Sequence, residues 1–366
     1  MALRILPSAF FIYDLGFEIY DRPGPTQTAQ AQGSCWRSRQ ILNLKSQMKI
    51  AVVGCGAVGS YYGAKLRRAG LDVHFLLRSD YDVVRHKGVT IRSVEGDFHV
   101  QPRCARQPEE IGASDVVLVA LKTTANDQFP ELLPPLVGPQ TAVVTLQNGL
   151  GNTEQLARLF PPEQILSGLC FVCLNRVEPG VIHHTDYGLV VLGEFQRPAG
   201  PRTHKLAALF RDADFPCEVT NNLAHAQWEK LVWNIPFNGL GVAGIAGYEA
   251  LTNPNRHPSP VTRHSTVLTT DRLLADARWE KLVRELMLEV IHAARALGHE
   301  IPDSVAEDRI ARTRTMGAYK ASTLLDFERH QPLELESMFL EPLRWAQSAG
   351  VPVPRLTRLC EVLRQW

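Results

Sequence analysis

At 366 residues the chain is long for one domain and comfortable for two. Apolar residues at 45% and charged residues at 21% suit a globular protein, and 39 basic against 38 acidic residues leave a net charge of +1. No basic stripe invites nucleic acid, and no apolar run approaches the roughly 18–20 residues of a membrane span.

Residues 1–47 stand apart from the rest. Phe10-Phe11-Ile12-Tyr13 is too short for a signal-peptide core, and Asp14, Glu18 and Asp21 do not suit a transit peptide. Residues 22–40 are rich in Pro, Gly, Gln, Ser and Arg without periodicity. The expectation is a poorly ordered extension, or the product of an upstream start, with the fold beginning at Met48.

From there, Lys49-Ile50-Ala51-Val52-Val53 predicts a buried parallel strand that ends at Gly54. Residues 57–69 have helical spacing, with Gly70 placed as the helix C′ residue. Further strands are predicted at residues 73–77, 115–121 and 142–146, and residues 181–194 read as strand and turn. Strands alternating with helical stretches over 48–221 point to an α/β fold, a doubly wound parallel sheet of Rossmann type. From residue 222 the character changes. Residues 222–246, 278–297, 304–330 and 335–349 carry helical periodicity, predicting an all-helical second domain over 222–366. Residues 252–270, rich in Pro, Asn, Arg, His and Thr, read as a long exposed loop.

The seven cysteines (Cys35, Cys55, Cys104, Cys170, Cys173, Cys217 and Cys360) are odd in number and scattered, unlike a secreted disulfide framework. Cys170 and Cys173 lie close together, but without a second Cys or His pair a zinc ion would lack ligands, so no metal is expected. The cysteines read as buried thiols of a reducing, cytoplasmic protein.

Chemistry enters at Gly54-Cys55-Gly56-Ala57-Val58-Gly59, which fits G-x-G-x-x-G. The bare pattern is weak. Its place, after a buried strand and opening a helix, makes it a dinucleotide-binding turn. Gly54 allows the tight turn, Gly56 the close approach of a pyrophosphate and Gly59 the packing of helix on strand. Phosphates would then meet free N–H groups at a helix N-terminus. The second strand runs into Leu77-Arg78-Ser79, where an NAD site commonly has an acid for the ribose 2′-hydroxyl. Arg78 can instead pair with a 2′-phosphate, so NADPH is the expected cofactor. Asp80 follows, beyond the usual position.

At this point the sequence resembles the ketopantoate reductase (2-dehydropantoate 2-reductase) family. The likeness runs from Met48 to the C-terminus. It is carried by Met48-Lys49-Ile50 leading into GCGAVG, by Leu121-Lys122, by Gln147-Asn148-Gly149, by Trp228-Glu229-Lys230-Leu231-Val232-Trp233-Asn234, and by Ser322 and Glu334 twelve residues apart. The resemblance implies a catalytic cleft between a Rossmann and a helical domain. It also implies NADPH-dependent reduction of a 2-oxo acid, yielding pantoate for pantothenate synthesis. Lys230 would be the proton donor, with Glu334 beside it in catalysis. Asn148, Asn234, Asn238 and Ser322 would hold substrate, while Lys122, Asn148 and Glu334 would lie at the cofactor. A homodimer is a family-level expectation alone.

Read from the residues, Lys230, Asn234 and Asn238 are spaced i, i+4, i+8 along one helix face. Hydride addition to a ketone needs a proton donor and fixed hydrogen-bond donors at oxygen, which a lysine and two amides supply. By spacing alone the same residues serve equally as a solvated lysine and core amides, and Glu334 as an exposed acid at a helix start. Four departures from the family pattern stand out. Pro236 lies inside this helix and should kink it. Gly239 follows Asn238 where Pro is commoner, Tyr248 stands where a third Asn is common, and the 252–270 loop is unusual. The last two keep open a different 2-oxo acid, or a related carbonyl or imine, as substrate. A nicotinamide-binding sensor without turnover is a further alternative. Lys230, Asn234, Ser322 and Glu334 together speak against it, since a sensor needs no proton donor.

Overall fold

The computed structural model describes residues 48–253, 255 and 267–366. The expectations for residues 1–47 and for most of the 252–270 loop lie outside these residues.

Six strands form a parallel sheet in the order β5-β2-β1-β6-β7-β8. They are β1 (Lys49–Val53), β2 (Asp72–Leu76), β5 (Arg103–Ala105), β6 (Ser114–Val119), β7 (Val137–Thr145) and β8 (Ile165–Glu178). This is the Rossmann order, with β1 at the point where the winding reverses. The sheet does not stop there. β9 (Val181–Glu194) pairs antiparallel with β8 along a long hairpin, and β3 (Val89–Ser93) joins β9 in parallel. β4 (Phe98–Val100) closes that edge antiparallel to β3, while β10 (Cys217–Val219) pairs with β9, giving ten strands in all. The expected parallel sheet is therefore a parallel core with a mixed extension. Strands β3 to β5, short and partly polar, carry too little alternation to be read from sequence.

Register matters most for function. Val53 of β1 pairs level with Leu76 of β2 and Val119 of β6, and Val119 is level with Thr145 of β7. The loops after all four strands therefore rise from one edge, where ligands of such sheets bind. Those loops carry Gly54–Gly59, Arg78, Lys122 and Asn148. Both faces of the sheet are covered. Ile50 and Val52 pack with Tyr61, Tyr62, Leu66 and Phe75, whereas Ala51 and Val53 pack with Val119, Phe129 and Leu133. Burial on two sides is why the strands read as unbroken apolar runs.

Numbering helices of seven or more residues, α1 spans Ala57–Arg68, α2 Tyr81–Lys87 and α3 Pro201–Asp212. The end of α1 is a Schellman motif. Gly70, at φ +90°, donates to the Arg67 carbonyl and Leu71 to that of Leu66, as its predicted C′ place requires. Beyond the sheet come α4 (Leu223–Ala243), α5 (Ala277–Ala296), α6 (Ser304–Thr313), α7 (Ser322–Glu328), α8 (Glu341–Ser348) and α9 (Pro354–Leu363). The single helical stretch expected over 304–330 is two helices, separated around Gly317 at φ +63°. A one-turn π segment, Glu336–Leu340, leads into α8. Helix α9 went unread in the sequence.

Helix α4 is the axis of the helical half. Its N-cap Asn222 accepts from the His225 N–H, and the helix runs unbroken through Pro236 to Ala243. Trp228, Leu231, Val232 and Ile235 pack against Leu286, Met287, Val290, Phe339 and Leu359. Burying one such side chain contributes roughly 1.5–3 kcal/mol, so this face anchors α4 firmly. A buried pair, Glu229 with Arg309 at 2.6 Å, and the Trp233 indole N–H on Thr313 at 2.9 Å tie α4 to α6. Among the described residues no helix is long and apolar enough to cross a membrane, and all six cysteines are free thiols.

Candidate active site

The glycine turn has the three properties its sequence requires. Gly54 lies at φ +94°, and a Cβ there would fall 2.3 Å from the Leu121 amide nitrogen, so only glycine fits. At Gly59 a Cβ would fall 2.3 Å from the Gly54 carbonyl oxygen, which fixes how closely α1 meets β1. Gly56 is different: nothing lies within 4 Å of a Cβ built there. That open space borders the α1 N-terminus, where Gly56 is the cap residue without side-chain capping and Ala57 and Val58 begin the helix. Free N–H groups at a helix start beside an open glycine suit a pyrophosphate, so the turn fits a dinucleotide. The Cys55 thiol turns away, reaching the Val52 and Leu76 carbonyls, and its pKa is pushed well up by burial. It is a packing group, not a nucleophile.

At the end of β2, Arg78 and Ser79 are exposed, and no described residue pairs with the Arg78 guanidinium. Asp80 is buried and engaged, accepting from Ser79 Oγ at 3.0 Å and from Arg176 at 2.5 Å. The one acid near the ribose-recognition position is thus already occupied.

Across the same edge, the two halves of the molecule are stitched together. Glu334 accepts from the Thr123 N–H at 2.8 Å and from Lys122 Nζ at 3.2 Å, while Asp326 pairs with Lys122 at 2.7 Å. Ser337 Oγ donates to Thr123 Oγ1 at 2.9 Å, and the Leu150 N–H donates to the Ser337 carbonyl at 2.9 Å. Gly149, at φ +85°, comes so close that a Cβ would sit 2.3 Å from that carbonyl oxygen. Glu334, by default an exposed acid in the sequence, is only 7% exposed.

Lys230 reaches this junction from α4. Its Nζ donates to Asn148 Oδ1 at 2.9 Å and to the Cys170 carbonyl at 2.8 Å, and it lies 5.1 Å from the centre of the Phe171 ring. An ammonium has three N–H groups, so one is left for a ligand. Burial pulls its pKa from the ordinary 10.5 down to about 8, although Cys170 and Glu334 hold it partly up. Lys230 and Asn234 together with Asn148, Gly149, Ser167 and Gln227 line a small open cleft. One turn further along α4, Asn238 Oδ1 accepts from Ser322 Oγ at 3.1 Å and from the Thr323 N–H at 3.0 Å. Asn238 and Ser322 are thereby joined at the N-terminus of α7. Tyr248 is not among the cleft residues. Its ring packs edge-on against Trp279 at 5.3 Å, beneath the Arg278 guanidinium at 5.4 Å.

The sequence reading missed a layer beneath. Gln147 Nε2 donates to the Leu121 carbonyl and to Asn126 Oδ1, Asn126 Nδ2 to Asn152 Oδ1, and Asn152 Nδ2 to the Asn148 carbonyl. This chain of amides holds the Lys122 loop and the Asn148 loop in fixed relation. The only signal for it was the density of Asn and Gln after β6 and β7, which looks like ordinary loop chemistry.

An open glycine turn, an exposed arginine after β2 and a part-buried lysine among amides define a class: a Rossmann-type nicotinamide oxidoreductase with a helical second domain. Comparison with known proteins narrows it. The family model described as ketopantoate reductase PanE/ApbA matches residues 50–197, and its C-terminal counterpart matches 260–366. A 2-dehydropantoate 2-reductase of Nostoc sp. is 39% identical over 325 residues, covering 87% of this chain and 95% of that protein. The crystal structure of 2-dehydropantoate 2-reductase from Geobacter metallireducens superposes with a TM-score of 0.78 at 44% identity, covering 87% and 99% of the two chains. A ternary structure of D-mandelate dehydrogenase with NADH and anilino(oxo)acetate shares the fold, with a TM-score of 0.72 at 18% identity over 87% of this chain and 98% of that one. The chain belongs to the ketopantoate reductase family, the oxidoreductases of 2-oxo acids.

Proposed function

We propose that this protein reduces 2-dehydropantoate to pantoate, the reduction that serves pantothenate synthesis, with NADPH as the hydride donor. The observation that carries the reading is Lys230: a part-buried ammonium, fixed by Asn148 and the Cys170 carbonyl, with one N–H to spare. Residues 48–221 would bind the cofactor through Gly54, Cys55, Gly56, Ala57, Val58, Gly59 and Arg78. Residues 222–366 would present the substrate-facing helix. When bound, the cofactor supplies a hydride to the carbonyl carbon. Lys230 stabilises the charge that develops on the carbonyl oxygen and delivers a proton to it. Asn148 aims Lys230, and its own amide N–H groups would serve the ligand. Asn234, Asn238 and Ser322 orient the acid. Lys122 and Glu334 hold the two halves at the distance the transfer needs. A cytoplasmic homodimer accompanies this reading.

Tyr248 supports a second reading, turnover of a different 2-oxo acid. It packs on Trp279 where the family commonly offers an amide, and losing one partner for a substrate hydroxyl changes specificity. Steady-state kinetics across 2-oxo acids with NADPH and with NADH decide. The first reading expects kcat/KM to be highest for 2-dehydropantoate with NADPH. A larger value for another oxo acid transfers the assignment to the second.

A further inference from the structure

The edge of the sheet after β2 carries more charge than Arg78 alone. Arg106 Nη2 spans both oxygens of Asp82 at 2.8 Å each, and its guanidinium stacks 4.2 Å from the centre of the Tyr81 ring. That pair is self-neutralised. Asp80 lies two residues beyond Arg78, is 6% exposed, and its charge is felt at the Cys55 thiol inside the glycine turn. It belongs to the segment that follows β2, the same one that carries Arg78. Its partner comes from far away in sequence: Arg176, near the end of β8, with Nη2 at 2.5 Å from Asp80 Oδ1. The arithmetic is simple. With Arg176 present, Asp80 is cancelled and Arg78 is left as a net positive charge. Without Arg176, the Asp80 carboxylate would lose its cation two residues from Arg78.

We propose that Arg176 is a cofactor-specificity determinant acting through Asp80: by pairing with that carboxylate, it keeps a negative charge from opposing the 2′-phosphate held by Arg78. The inference rests on the NADPH reading above. In that position a free carboxylate would repel a phosphate carrying about two negative charges, yet would accept a hydrogen bond from the 2′-hydroxyl of NADH. The long β8–β9 hairpin thereby has a task at the cofactor site, although its strands lie on the far side of the sheet from β2.

The test is a set of dissociation constants for NADPH and NADH, from nicotinamide fluorescence, on the full chain. Arg176→Ala is expected to weaken NADPH about tenfold while leaving NADH within about twofold. Arg176→Lys, which keeps the charge, should stay near wild type. Adding Asp80→Asn to Arg176→Ala should restore NADPH binding, because the opposing charge is gone. Unchanged NADPH binding in Arg176→Ala overturns the inference. So does a parallel loss for both cofactors that Asp80→Asn does not repair, since that marks a structural role. If the wild-type protein itself binds both cofactors equally and Arg78→Ala changes neither, the NADPH reading falls and takes this inference with it. A wild-type preference that Arg78→Ala removes and Arg176→Ala does not refutes the inference alone.

Discussion

Raising the pH should switch Lys230 off. Its ammonium is desolvated between α4, the Asn148 loop and β8, and its pKa falls from 10.5 to about 8. If Lys230 donates the proton, only its charged form is active. The value of kcat/KM for the reduction should be level below about pH 8 and fall tenfold per pH unit above it. The same shift acts on stability, with a definite sign. Between pH 8 and 10.5 the unfolded chain holds a proton at Lys230 that the folded chain has released, so stability rises with pH across that window. The gap between 10.5 and about 8 is worth about 3 kcal/mol, an upper figure because a partly exposed amine keeps some water. Lys230→Met removes both effects. It should cost at least about 10²-fold in kcat/KM, leave NADPH affinity nearly unchanged, and show a shallower rise in stability over the window. Two experiments suffice: initial rates from pH 6 to 10, and chemical denaturation of both proteins at pH 7.5 and 10. A rate profile flat to pH 10, or near-normal turnover by Lys230→Met, would refute the argument.

Other perturbations read other parts of the site. Arg78→Ala should shrink the preference for NADPH over NADH by roughly 1–3 kcal/mol in binding titrations, the range of a charge-assisted hydrogen bond. Gly149→Ala combines left-handed strain with a Cβ driven into the Ser337 carbonyl. It should destabilise by at least about 3 kcal/mol, measured by urea denaturation. Glu334→Ala leaves the buried Thr123 N–H without its acceptor and should cost about 1–3 kcal/mol in the same assay, together with a drop in kcat.

Sequence and structure agree where one signal is strong and local. β1 and the glycine turn are legible because a doubly buried strand is a run of apolar residues and because Gly54 and Gly59 tolerate no Cβ. Gly70 is legible because a Schellman turn needs a positive φ. Features whose cause is distant are not. The extension of the sheet beyond β8 depends on β3 finding β9, a pairing across some ninety residues that no local pattern encodes. The break near Gly317 reads as helix because the flanks are periodic. Pro236 lowers helix propensity, yet α4 continues through it, since the surrounding core contributes more than one lost hydrogen bond. At the site, spacing gave the face shared by Lys230, Asn234 and Asn238. It could not give Asp326, Arg176 or the Gln147–Asn126–Asn152 chain, whose partners lie on other elements.

The orientation of two amides has a chemical consequence. A backbone N–H and an ammonium can only donate, so the oxygens of Asn238 and Asn148 must be the atoms facing Thr323 and Lys230. What each amide has left to offer is its NH₂ group. Lys230 adds its third N–H. Asn148 and Lys230 can therefore offer a ligand only hydrogens, while Asn234 and Gln227 of the same cleft carry both a donor and an acceptor. A ligand rich in oxygen, such as a carboxylate beside a ketone, can use the hydrogens that Lys230 and Asn148 hold spare. An ammonium is repelled by the charge on Lys230.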